Sequence, residues 1–131
     1  MSGPEPTRDE DEVAAVVVDA AIEVHRHLGP AFAESVYENA LSRELMMRGV
    51  VFERQVVVPV HYKDAWVGEG RIDMVVAGVL VAELKALPEI AAVHVCQALS
   101  YLKATGLRLA LVLNFGMPRM QSGIRRVVRT R

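Results

Sequence analysis

Cysteine is nearly absent: Cys96 stands alone, which excludes an internal disulfide and a thiolate metal cluster built within one chain. Its place among apolar helical residues predicts a small buried side chain rather than a nucleophile. Long hydrophobic runs are missing too. Arg71, Asp73, Glu83 and Lys85 interrupt the most apolar region, so no stretch reaches the roughly 20 residues a bilayer-spanning helix needs. The opening residues Met1 to Pro6 lack the basic-then-apolar layout of a secretory signal, so a cytoplasmic chain with no membrane partner is expected. Charge of either sign is not in excess: 15 Lys and Arg stand against 16 Asp and Glu, without the basic surplus of a strong sequence-independent nucleic-acid binder. Aromatic residues are 5% of the chain, which limits the candidates for stacking on bases to Tyr37, Tyr62, Trp66 and Tyr101.

What is present is enough apolar material for one core: 52% of 131 residues are hydrophobic, and a second catalytic domain would not fit. Residues 1–8 read as a disordered lead-in and 9–131 as a single domain. From Asp9 to His27 the apolar spacing predicts a helix, with Asp9 to Glu12 against its N-terminal dipole and Gly29-Pro30 as its stop. A second helix is expected from Ala33 to Arg48. After Gly49 the pattern turns β-branched: strands over 51–62, 65–76 and 79–85 are separated by Lys63-Asp64 and Ala77-Gly78. Pro88-Glu89 suits the first turn of a helix over 89–104, Gly106 its end, and 107–115 a central strand buried on both faces. An edge strand around 124–128 completes a mixed α/β sheet flanked by helices. Arg119, Arg125, Arg126, Arg129 and Arg131 make the C-terminus basic, as a solvated tail or a phosphate-contacting arm.

The residues that carry chemistry lie on the second and third strands. Alternation puts Glu83 and Lys85 on one face, with Ala82 and Leu84 on the other. A two-residue loop at Ala77-Gly78 would pair Asp73 with Ala82 and send it away from Glu83. A three-residue loop over 77–79, or a bulge, would bring the two carboxylates together. Converging carboxylates repel unless neutralised, and a hard divalent cation with oxygen ligands does this, magnesium retaining several waters. The ion would lower the pKa of a bound water, and Lys85 would orient or help deprotonate it. On the following helix Gln97 and Tyr101 are spaced i to i+4, with His94 one turn earlier. Glu34 and Tyr37, spaced i to i+3, are further candidates.

The segment His27-Leu28-Gly29-Pro30-Ala31-Phe32-Ala33-Glu34-Ser35-Val36-Tyr37-Glu38 resembles the naming motif of the GxxExxY family, within the PD-(D/E)xK nuclease superfamily. So do Glu53-Arg54-Gln55, Gly68-Glu69-Gly70-Arg71-Ile72-Asp73, Glu83-Leu84-Lys85-Ala86, His94 with Gln97, Tyr101-Leu102-Lys103, and Gly106-Leu107-Arg108-Leu109 leading to Asn114-Phe115. Where the motif begins with glycine this chain has Ala31, whose Cβ disfavours a positive φ. The resemblance implies a restriction-endonuclease-like core, Asp73 and Glu83 as metal ligands with the Leu84 carbonyl as a third, and Lys85 as the catalytic lysine. It also implies roles for Gln97 and Tyr101, as a Q-x-x-x-Y element, and for Glu34 as the helical carboxylate. The function expected is a magnesium- or manganese-dependent phosphodiesterase (Mg2+ or Mn2+) acting on DNA, in repair or defence, with RNA use and homodimerisation left open. The alternatives are an inactive nuclease fold serving as a binding subunit and, more weakly, a hydrolase of another phosphate ester.

Overall fold

The computed structural model describes residues 8–130. The expected lead-in therefore lies outside the described residues over 1–7, and Arg8 already belongs to the first helix. α1 (Arg8–Leu28) begins with Asp9, Glu10 and Asp11 and ends with His25, Arg26 and His27, each charge set placed to favour the helix dipole. Val17, Ala20, Ala21 and Val24 recur at helical spacing and are buried. Gly29, at φ 73°, takes the left-handed position just past the helix, and its N–H donates to the His25 carbonyl at 2.8 Å. α2 (Glu34–Met47) buries Tyr37, Leu41 and Leu45 at helical spacing, with Glu38 and Ser42 beside them.

Five strands follow: β1 (Phe52–Tyr62), β2 (Ala65–Val76), β3 (Leu80–Lys85), β4 (Leu109–Asn114) and β5 (Ile124–Val128), in the spatial order β1-β2-β3-β4-β5. β1, β2 and β3 form an antiparallel meander; β3 and β4 are parallel, joined by α3 (Ala92–Thr105); β5 is antiparallel to β4. A parallel pair needs such a crossover, and the helix supplies it. α1 and α2 cover one face, over Met74, Val76, Leu80, Ala82, Leu84, Leu111 and Leu113. α3 covers the other, where Ala98 and Leu102 meet Ile72, Val81, Val112 and Val127. Every residue of β4 is buried, as expected of a strand covered on both sides, and β5 lies at the edge.

Four expectations need correction. The third helix starts at Ala92, not at Glu89: Asn114 Oδ1 accepts the Leu87 N–H at 2.9 Å, and the His94 ring accepts the Ala91 N–H at 3.0 Å, holding 86–91 as a non-helical approach. Cys96 is exposed, because α3 buries the narrow stripe of Ala98 and Leu102, and a residue two positions before Ala98 points to the opposite side at about 100° per residue. Tyr37 is unavailable for stacking on bases. It is fully buried, stacked on Phe115 at 4.7 Å, and its hydroxyl donates to the Gly29 carbonyl while accepting the Phe32 N–H. The basic C-terminus is neither a free tail nor a free arm at two of its arginines. Arg126 pairs with Asp11 on α1, and Arg129 donates to the carbonyls of Leu107 and Gly106 at 3.0 and 2.9 Å.

Candidate metal and phosphodiester site

β2 pairs with β3 over only three positions, Val76↔Leu80, Val75↔Val81 and Met74↔Ala82, so the connection is the three residues 77–79. Ala77 and Gly78 make the turn at φ 53° and 69°. That register sets Asp73 opposite Glu83. There the ladder gives way to a reciprocal exchange through side chains. The Asp73 N–H donates to Glu83 Oε2 at 2.8 Å, and the Leu84 N–H donates to Asp73 Oδ2 at 2.8 Å. One oxygen of each carboxylate is thereby fixed by backbone.

The electrostatics follow from burial. Glu83 is 3% exposed. Loss of solvation, followed by the neighbouring charge of Asp73, pushes its carboxyl up to about 8. Asp73 is raised for the same first reason, burial, against hydrogen bonds from Leu84 and the Gln55 side chain that pull it down. Glu34, at the first position of α2, is also raised, by partial burial first and then by Asp73 and Glu38, while Lys85 opposes the shift. Lys85 thus interacts with all three carboxylates and is the local countercharge.

Among the described residues no group of three His, Cys, Asp or Glu is disposed to hold a metal ion. The donor set that does occur is two carboxylates and a carbonyl. The Lys85 carbonyl accepts the Phe115 N–H across the β3–β4 pair at 2.8 Å. Successive carbonyls alternate along a strand, so the Leu84 carbonyl leaves on the other side, where its own N–H meets Asp73. An all-oxygen set of this size, left to be completed by water, fits a small hard cation.

Gln97 and Tyr101 are joined to each other on α3. Gln97 Nε2 donates to the Tyr101 hydroxyl at 3.4 Å, and no described hydrogen bond joins either to Asp73, Glu83 or Lys85. The Tyr101 ring lies against Gly70 of β2, where an added Cβ would come within 2.7 Å of its Cε1. His94 works as the helix cap described above. Ala31 is not among the residues with positive φ; Gly29 takes that conformation in the same loop.

Three residues beside the carboxylates stand in motif segments but carry no role in the sequence reading. Glu38, one turn after Glu34, accepts from Arg54 Nε at 2.9 Å and from Gln55 Nε2 at 2.8 Å. The i to i+4 spacing of Glu34 and Glu38, which stacks like charges on one helix face, was the available signal.

The profile of the PD-(D/E)XK nuclease superfamily matches residues 11–127. No curated protein and no solved structure matches. A mixed five-strand sheet flanked by helices is consistent with the restriction-endonuclease-like fold of that superfamily, and the chain belongs to the PD-(D/E)XK nuclease superfamily.

Proposed function

We propose that the protein hydrolyses phosphodiester bonds in DNA with the help of a divalent cation, magnesium or manganese. Nucleases of this superfamily are generally divalent-metal dependent. The observation that carries the reading is the meeting of Asp73 and Glu83 across a three-residue hairpin, with Lys85 beside them. Asp73, Glu83 and the Leu84 carbonyl would hold the ion. When bound, it supplies positive charge for the phosphoryl oxygens and a more acidic water. The carboxylates hold the site's geometry through their bonds to Leu84 N–H and Asp73 N–H. Lys85 orients the attacking water and stabilises negative charge as the new oxygen–phosphorus bond forms and the bond to the leaving oxygen breaks. Glu34 faces the same space and takes part in holding that water. Gln97 and Tyr101, joined to each other on α3, contact the substrate beside Gly70. Membership of the GxxExxY family, cytoplasmic location and a homodimeric state belong to the same proposal.

The test is cleavage of single- and double-stranded DNA in Mg2+ or Mn2+, with Glu83→Ala and Lys85→Ala prepared identically. Cleavage by the wild type and its loss in both variants is the expected result; equal cleavage by all three refutes the assignment. A second reading, a binding subunit on an inactive nuclease fold, is favoured by Ala31 standing where the motif has glycine. It predicts nucleic-acid or protein binding without divalent-ion uptake. An RNA substrate is distinguished by running the same assay on RNA.

A further inference from the structure

We propose that Gln55 and Glu38 are positioning residues for the Asp73 carboxylate, with Gln55 locked in a left-handed kink of β1 so that its amide holds Asp73 in the orientation an ion needs. The inference deepens the phosphodiesterase reading and rests on it.

The kink is visible in the ladder. β1 and β2 pair at Arg54↔Met74 and again at Val56↔Ile72, but not at Gln55 and Asp73. Gln55 has φ 52°, a conformation an unbranched L-residue adopts only when its surroundings hold it there. Two consequences follow.

The first concerns direction. Neighbouring side chains on a strand normally point to opposite faces, yet Arg54 and Gln55 both reach Glu38, one to each of its oxygens. Beyond the kink Val56 and Val58 turn to the face covered by α3, whereas Phe52 before it packs under α1 and α2. The second concerns the partner strand. Without a ladder bond to β1 at this position, Asp73 is free to exchange hydrogen bonds with Glu83 and Leu84.

The Gln55 amide has two hydrogens, which suits its two acceptors. One is Glu38 Oε1 at 2.8 Å; we assign the other to the Asp73 carboxylate, whose charged form the Gln55 side chain favours. Arg54 neutralises Glu38, with Nη2 2.8 Å from its Oε2, so the buried acid beside the site stays an acceptor instead of competing for the ion. The order Arg54, Glu38, Gln55, Asp73 is the kind of outer support that orients a metal-binding carboxylate.

The test uses Gln55→Gly, which keeps the left-handed backbone without strain but deletes the amide, and Gln55→Asn, which tolerates that backbone but falls one methylene short. Mn2+ affinity is measured by calorimetry. In the metal-free protein, three-bond couplings to the Asp73 β-protons report whether the side chain keeps one rotamer. Expected in both variants is a Mn2+ affinity weakened about 10- to 100-fold, together with rotamer averaging at Asp73, while the cooperative unfolding transition is kept. Glu38→Gln, which loses one of the two acceptor oxygens, is expected to change both readouts in the same direction. Unchanged affinity and a single Asp73 rotamer in Gln55→Gly and Gln55→Asn would overturn the inference and leave the nuclease reading standing. A wild type with an ordered Asp73 that takes up no Mn2+, beside averaged variants, would sink the nuclease reading while keeping the positioning role.

Discussion

Replacing Glu83 by glutamine is expected to stabilise the metal-free protein at alkaline pH. The carboxyl is raised from its ordinary 4.5 to about 8, by burial first and then by Asp73. Between those values the folded chain retains a proton that the unfolded chain has released, so stability falls as pH rises through the window. Below pH 4.5 both states are protonated and the penalty is absent; above about 8 it is complete. At about 1.4 kcal/mol per pH unit, the interval is worth about 5 kcal/mol. Glutamine keeps nearly the same volume and an oxygen to accept the Asp73 N–H, and it carries no charge to desolvate. The assay is urea unfolding followed by circular dichroism from pH 4 to pH 9 in a chelator, with the variant compared to the wild type at each pH. The difference should be near zero at the acid end and grow to about 5 kcal/mol in the variant's favour at the alkaline end. Added Mg2+ should then recover much of the wild type's deficit and do little for the variant, because the ion neutralises the buried carboxylate that the variant lacks. A difference that stays flat with pH would refute the argument that burial and the Asp73 charge act on Glu83.

Three further outcomes follow from particular contacts. Lys85→Ala should lower DNA cleavage by about a hundredfold or more, with divalent-ion affinity held or raised because a positive neighbour is gone; cleavage rates beside calorimetry separate the two. Tyr37→Phe removes the hydroxyl that joins Gly29 to Phe32, and should cost about 1–2 kcal/mol in urea unfolding, with the Phe115 stacking retained. Gly70→Ala drives a methyl into the Tyr101 ring, and should cost about 1–3 kcal/mol unless the ring swings away. A change in Tyr101 fluorescence or ring chemical shifts would report that movement.

Most of the chain's architecture was legible because its signals are local. The acidic start of α1, the shift to alternating β-branched residues after Gly49, and the continuously apolar β4 each speak through a few neighbouring residues. The candidate site was legible in part. That Asp73 could meet Glu83 only across a three-residue connection or a bulge followed from alternation alone, and the pairing Val76↔Leu80 selects the three-residue connection. The remainder depended on distant partners. His94 and Asn114 delay α3 through bonds to Ala91 and Leu87 that no helix propensity encodes. Gln55 in a left-handed conformation runs against its own preference, so nothing in a strand-like pattern discloses it. Tyr37 looked like a polar aromatic near a site because its burial comes from Phe115, far along the chain.

Arg108 and Arg126 bind the last two strands of the sheet to the first turn of α1. Glu10 and Asp11 in the first turn of α1 find Arg108 and Arg126 only after almost everything between them has been made. During synthesis the helix leaves the ribosome well ahead of those partners, and β4 emerges without the edge strand that later flanks it. Closure of the sheet therefore waits for β5, and a chain cut before residue 124 would present an unfinished sheet with its most apolar strand at the margin.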